Sequence, residues 1–507
     1  MTPLRYSIAL LALIALLSAH TPAQQAPPLG PPQQAGVASS EYQARRAAFA
    51  KTIGPDALFV AFSSDASRRT GDVDWPFRQE DNLLYLTGMN EPDTTLVMLP
   101  GGHERSEMVF SRDRDPANER WTGIIPSREQ VTAVTGVKDV SSSRRFNGFI
   151  DALFQGRGFG EPGQRSYYAT PVEPAFLSAV RSGRAEVWLV MHDTAALGGA
   201  LTREQKFADD LRRQYPPVRF RDASAALLAM REIKSPAELT LIQRAIDITA
   251  QAQKAAMTRV LTATHEYEVQ ATIEFTFRNL GACCWAFPSI VASGRNSTTL
   301  HYESNNEPIV RNGLLLTDIG AEVDGYSADV TRTYPASGHF SPEQRALYDV
   351  VLAAQNESLT LMRPGRRHVE VNDKAIEVVG RELLKLGLVT KNTAEQAGLY
   401  LFHGTGHPLG LQTHDVYDRT RVYEPGMVFT NEPGVYVRKD DILAGDVFAK
   451  LTPAEQQSMR TALQRYDGIG IRIEDDVLIT AGDPKLLSGA APRTAPDVEA
   501  WMAASKK

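Results

Sequence analysis

The chain has 507 residues, 43% of them hydrophobic and 22% charged, which is enough for two or three domains with sizeable cores. Its net charge of -6 speaks against a nucleic-acid partner. The only cysteines, Cys283 and Cys284, are adjacent; they cannot staple distant segments, they form no CxxC site, and they read as small buried residues.

The chain opens with MTPLRYSIALLALIALLSAHTPAQQA, which has one early positive charge at Arg5, an apolar run from about Ile8 to Ala19 and small residues near Ala23. That is the layout of a secretory signal peptide over residues 1–23, too short in its apolar run to span a bilayer comfortably. Export to the periplasm or the medium is therefore expected, with no stable membrane insertion after processing; an uncleaved anchor is the other reading. The Pro- and Gln-rich stretch 24–40 reads as a disordered leader.

Residues 41–222 alternate helical stretches such as EYQARRAAFAKTI with short apolar strands such as ALFVAF and TTLVML. This predicts an N-terminal α/β domain. Nothing in it gathers metal ligands, or a nucleophile with a base.

A second domain is expected over 223–507. Ser235, Pro236 and Glu238 make a capping box that starts a helix, and Leu239, Ile242 and Ile246 give it an apolar stripe. The same start recurs 106 residues on at Ser341, Pro342 and Gln344. Gly281 and His301 map by that offset onto Gly387 and His407. Three matches at one spacing predict two similar halves, each a helix pair followed by strands, with an active cluster where they meet.

Between the two helix starts lies LLLTDIGAEVDGYSADVTRTYP, in which Asp324-Gly325 separates two alternating runs, a strong hairpin signal. A two-residue loop there sets position 318 opposite 331, so Asp318 and Asp329 become diagonal neighbours on one face. Alone, this would equally suit a solvated acidic hairpin. Downstream, LFHGTGHPLGLQTHD supplies His403, His407 and His414, VFTNEPGVYV supplies Glu432, and GIGIRIEDDVLIT supplies Glu474. Four carboxylates and an imidazole, with no thiolate, suit hard divalent ions such as Mn²⁺, with Zn²⁺ or Co²⁺ as other possibilities. Four buried negative charges call for two such ions rather than one.

The order Asp, an eleven-residue step to Asp, HGTGH, NEPG and GIRIEDD resembles the creatinase/prolidase/methionine aminopeptidase superfamily of metallopeptidases, and within it the Xaa-Pro aminopeptidase (aminopeptidase P) and prolidase branch. The likeness runs from about residue 41 to 502, since DWPFRQEDNLLYLTGMNEP resembles that branch's N-terminal domain. It implies an α/β (α+β) chain whose C-terminal domain has the pita-bread fold with pseudo-twofold related halves. It also implies cleavage of Xaa-Pro peptides by a water that a metal pair activates. A strict dipeptidase (prolidase), a metal-free creatinase-like hydrolase and a non-catalytic peptide-binding protein are the rival readings.

The resemblance assigns Asp318 to one metal, Asp329 and Glu474 to a bridge, and His407 and Glu432 to the other metal. Glu432 is also the candidate proton shuttle, and His301, His403 and His414 match substrate-facing or supporting histidines; His301 would otherwise be a core histidine. Gly406 and Gln412 stand where the family often has serine and aspartate, which bears on substrate preference. The insertion-like segment 438–466 carries a capped helix, LTPAEQQSMRTAL, expected to line the cleft or contact a neighbouring subunit. A homodimer or tetramer is implied, with the N-terminal domain serving subunit contacts and cleft closure.

Overall fold

The computed structural model describes residues 36–102, 105–160, 173–191 and 199–505. The expected signal peptide, and the leader up to residue 35, lie outside the described residues. The first helix, α1 (Ser39–Ile53), begins inside the stretch expected to be disordered. Its buried face explains the difference: Arg46 reaches the carbonyls of Leu86 at 2.8 Å and Thr135 at 3.0 Å and pairs with Glu107 at 2.9 Å. Tertiary anchoring of this kind overrides a Pro- and Gln-rich composition next door.

Six strands make one mixed sheet in the N-terminal region: β1 (Ala57–Phe62), β2 (Thr95–Met98), β3 (Glu107–Ser111), β4 (Asp139–Ser142), β5 (Glu186–Leu189) and β6 (Arg219–Asp222). Their order is β4-β3-β2-β1-β5-β6. The central strand β1 is buried at every position, as a strand covered on both faces must be.

The C-terminal region starts with α2 (Pro236–Arg259), whose Ser235/Glu238 capping box forms as expected. Ile242 and Ile246 are fully buried, each contributing roughly 1.5–3 kcal/mol, while Leu239 is only half-buried. α3 (Glu266–Asn279) packs on α2, and Gly281 leaves it at φ 93°. Strands β7 (Cys284–Trp285), β8 (Ile290–Ser293), β9 (Leu314–Ile319), β10 (Ala321–Val323), β11 (Tyr326–Ser327) and β12 (Val330–Pro335) complete the first half. They form two three-stranded sheets, ordered β8-β9-β12 and β11-β10-β7.

The second half repeats the plan. α4 (Pro342–Leu359) has the Ser341/Gln344 capping box, α5 (His368–Lys385) packs on it, and Gly387 follows at φ 74°. Strands β13 (Val428–Asn431), β14 (Gly434–Tyr436), β15 (Gly470–Arg472), β16 (Asp475–Leu478) and β17 (Lys485–Leu486) pair as β13-β16-β17 and β14-β15. The two halves join along β12 and β15. Glu474 donates its N–H to the Thr331 carbonyl at 3.1 Å, and Thr333 Oγ1 donates to the Arg472 carbonyl at 2.9 Å.

The cleft-lining role of the inserted helix and the burial of the two cysteines fail here. The inserted helix α6 (Pro453–Tyr466) buries Met459, Leu463 and Tyr466 in the core of the second half. None of its residues lines the cavity described below. The two cysteines are exposed, because Cys283 lies in a bend and β7 is a two-residue edge strand. Their small apolar character does not decide their place; the edge does.

Candidate metal centre

The hairpin register is the one that the Asp-Gly turn predicts: Asp318 faces Thr331, and Val323 faces Tyr326. Asp324 and Gly325 take positive φ, 50° and 87°, as a two-residue turn of this hand requires. Asp318 ends β9 one residue early. The other carboxylates occupy breaks in pairing: Asp329 between β11 and β12, Glu432 between β13 and β14, and Glu474 between β15 and β16. A residue in such a break is freed from the ladder and its side chain can be re-aimed.

His407 approaches across a loop. It accepts the Thr430 N–H on its carbonyl at 2.8 Å and donates its own N–H to Thr430 Oγ1 at 3.0 Å. Gly406 makes this possible, since a Cβ there would sit 2.4 Å from the Thr430 carbonyl oxygen.

These side chains line a cavity of about 340 Å³ together with Phe287, Ile290, Leu300, His301, His403, His414 and Arg472. Ligand atoms of Asp329, His407 and Glu474 lie within 4.8 Å of one another. His407 Nδ1 is 3.1 Å from the Pro408 carbonyl and so must carry the proton. With Nδ1 so engaged, Nε2 is the ring atom that faces Asp329 Oδ2 at 3.4 Å and Glu432 Oε1 at 3.5 Å. A divalent cation among these atoms would be within reach of all three side chains. Asp318 Oδ1 and Asp329 Oδ1 are buried without a hydrogen-bond partner.

The charge balance points the same way. Burial, and then Asp318, push Asp329 well above the usual carboxylate range. Burial, and then Asp329, do the same to Glu474, and burial raises Glu432. The nearby cation is Arg472, which bonds Asp318 Oδ2, donates to Tyr436 Oη at 2.8 Å and to Thr331 Oγ1 at 3.1 Å. One guanidinium cannot balance four carboxylates. The residues present therefore fit divalent ions.

Arg472 is a residue of this site to which the sequence reading gave no role. Its signal was available: it stands two positions before Glu474 and so shares that residue's strand face. Gln253 and Gln355 were also missed. Gln253 donates to the carbonyls of Thr317 and Val330 at 3.1 and 2.7 Å, and Gln355 to those of Asn431 and Ile473 at 3.1 and 3.0 Å. Each of those four residues adjoins one of the four carboxylates, so the two long helices clamp the ligand strands in the same way in both halves.

The histidines divide. His403 Nδ1 is 2.7 Å from the Gly404 carbonyl and Nε2 is 2.9 Å from Tyr436 Oη, so both ring nitrogens are engaged by the protein. Burial and Arg472 lower it to about 4, keeping it neutral. His301 and His414 are exposed at the cavity mouth. The His414 ring is tilted by 47° against that of His407, with centroids 4.1 Å apart, and partial burial of the ring followed by His407 lowers it to about 4.

With this geometry in view, comparison with known proteins is informative. A family model described as metallopeptidase family M24 matches residues 240–481, and one described as aminopeptidase P, N-terminal domain, matches residues 42–159. The Xaa-Pro aminopeptidase of Escherichia coli (strain K12) is 32% identical over 93% of this chain and 99% of its own length. The chain belongs to the aminopeptidase P family. Among solved structures, Pseudomonas aeruginosa aminopeptidase PepP is similar with a TM-score of 0.78, at 30% identity over 93% of this chain and 99% of that one. Escherichia coli aminopeptidase P with the inhibitor Pro-Leu gives a TM-score of 0.76, at 29% identity and the same coverage. Membership in this family makes the chain a metallopeptidase that uses divalent metal and acts on peptides, with the pita-bread fold in its C-terminal domain.

Proposed function

We propose that the cluster of Asp318, Asp329, His407, Glu432 and Glu474 holds two divalent cations, Mn²⁺ by preference, and that the chain uses them as an Xaa-Pro aminopeptidase. The observation that carries this is the unbalanced group of four carboxylates, three buried and Glu432 partly so, around a histidine whose Nε2 faces two of them. When bound, such ions lower the proton affinity of a water nucleophile and polarise the scissile carbonyl.

The protein's own groups do the rest. Glu432, raised by burial, takes the water's proton and returns it to the leaving proline nitrogen. His301 and His414, free at the mouth, donate to the carbonyl oxygen, whereas His403 holds the wall of the cavity through Tyr436 and Gly404. Phe287, Ile290 and Leu300 give the cavity an apolar side suited to a pyrrolidine ring. A prolyl amide has no N–H to donate, so shape must replace that hydrogen bond.

Export, on the strength of the signal-peptide layout, and a homo-oligomer are part of the same proposal. The exposed Trp75, Trp121 and Ile124 of the N-terminal region offer apolar surface for subunit contact. The deciding assay compares Xaa-Pro-Xaa tripeptides with Xaa-Pro dipeptides and with the same peptides carrying alanine for proline. Release of the first residue from prolyl tripeptides supports the aminopeptidase. Cleavage of dipeptides alone would make it a prolidase, and no cleavage of either would remove the proposal.

A further inference from the structure

The vicinal cysteines play no part in the metal centre described above, yet they are not isolated. β7 pairs with β10 so that Cys284 faces Glu322, and Cys283 donates its N–H to the Glu322 carbonyl at 3.1 Å. Neighbours along a strand ordinarily point to opposite faces. The bend at Cys283 instead brings the two sulfurs to 2.7 Å. Glu322, whose residue is only 6% exposed, turns Oε1 toward both, at 3.4 Å from Cys283 Sγ and 3.8 Å from Cys284 Sγ.

We propose that Cys283, Cys284 and Glu322 form a separate three-ligand site for a thiophilic divalent cation such as Zn²⁺, with its fourth position open to water. Tetrahedral zinc with bonds of about 2.3 Å to sulfur and about 2.1 Å to oxygen sets a sulfur and an oxygen ligand about 3.6 Å apart. The two observed separations, 3.4 and 3.8 Å, bracket that value. The sulfurs themselves need about 3.8 Å and must part by about 1 Å. Both side chains are exposed and can rotate to do so.

Charge completes the case. Two thiolates and a carboxylate carry three negative charges, a divalent ion leaves one, and Glu322 Oε2 already accepts from Arg78 Nε at 3.0 Å. Ligation takes thiolates rather than thiols, so ion binding releases protons to solvent and tightens as pH rises. The donor set also separates this site from the other: thiolates select soft ions, the carboxylate centre hard ones. Arg78 in turn bonds Asp81 and the Leu411 carbonyl, and β7 leads within three residues to Phe287 in the catalytic wall.

The test uses the full chain, loaded with Mn²⁺, reduced with a phosphine and titrated with Cd²⁺ while the thiolate-to-cadmium charge-transfer band is followed. The expected result is saturation at one equivalent. Cys283→Ser and Cys284→Ser should each abolish the band while retaining peptide hydrolysis before Cd²⁺ is added. Glu322→Gln should weaken binding at least tenfold; should that variant fail to fold, a peptide of residues 280–288, which has the cysteines without Glu322, serves the same comparison. No band in the reduced protein, or an affinity equal to that of Glu322→Gln or the peptide, would overturn the proposal.

Discussion

Two faces of the same strands carry buried charge in opposite ways. Behind the ligand strands, Arg332 and Asp475 pair at 2.7 Å, both side chains wholly buried. Arg332 also donates to the carbonyls of Glu474 at 2.6 Å and Pro492 at 2.9 Å. Asp475 also accepts from Ser488 Oγ at 2.6 Å and Gln355 Nε2 at 3.0 Å. One residue away along each strand, Thr331 and Glu474 turn to the other face, where carboxylates meet with too little positive charge and two oxygens have no partner. The Arg332–Asp475 pair has its counter-charge and hydrogen bonds within the protein and holds the fold. The open face is complete only with ions, and that difference marks where the chemistry is.

The contrast can be broken by exchanging the roles of the two faces. Glu432→Gln should reduce kcat by about 10²- to 10⁴-fold. Its metal-free form should melt no lower than wild type, because one of several crowded negative charges has been removed. A matching fall in melting temperature would place Glu432 with the structural face. Asp475→Asn should do the reverse. It leaves Arg332 buried without its counter-charge, at a cost of roughly 3–5 kcal/mol in urea unfolding, with kcat per folded molecule close to wild type.

Arg472 touches the open face from within, so its replacement sharpens the comparison. Arg472→Lys keeps the charge but loses the fork that joins Asp318, Tyr436 and Thr331. Metal affinity should fall about 10- to 100-fold by isothermal titration, with little change in unfolding. A pH-dependent effect concerns Asp415, which pairs with Arg231 where that residue bonds Asn82 Oδ1 of the N-terminal region at 2.9 Å. Burial raises this carboxyl, but Lys234 at 3.2 Å and Arg231 at 2.6 Å outweigh it and hold it below the ordinary range. A lowered folded value gives stability that is present above the unfolded value, near pH 4, and is lost as pH falls through the folded one. In Asp415→Asn this acid-side loss should flatten in a series of urea titrations; an unchanged slope would show that the junction does not titrate.

What was legible beforehand was what short-range rules govern. The Asp324-Gly325 turn fixes the register of its hairpin locally, so the pairing of Asp318 with Thr331 could be read by counting. The repeat of capping boxes at Ser235 and Ser341 exposed the two halves for the same reason. The metal-ligand candidates were legible by kind and order, since few other roles gather so many carboxylates beside glycines.

Long-range dependence hid the rest. Gln253 and Gln355 are ordinary helical residues until the strands they clamp, 64 to 118 residues away, are in place. Arg472 looked like one more charge in an acidic strand. The exposure of Cys283 and Cys284 depends on β7 being an edge, and the helix Pro453–Tyr466 turned its apolar face to the core rather than the cleft.

The central claim is that the open face needs cations to be complete and active. Exhaustively chelated protein should be inactive and should regain full Xaa-Pro hydrolysis as Mn²⁺ is titrated in, with elemental analysis reaching two ions per chain. Full activity in protein shown to contain no metal would contradict it.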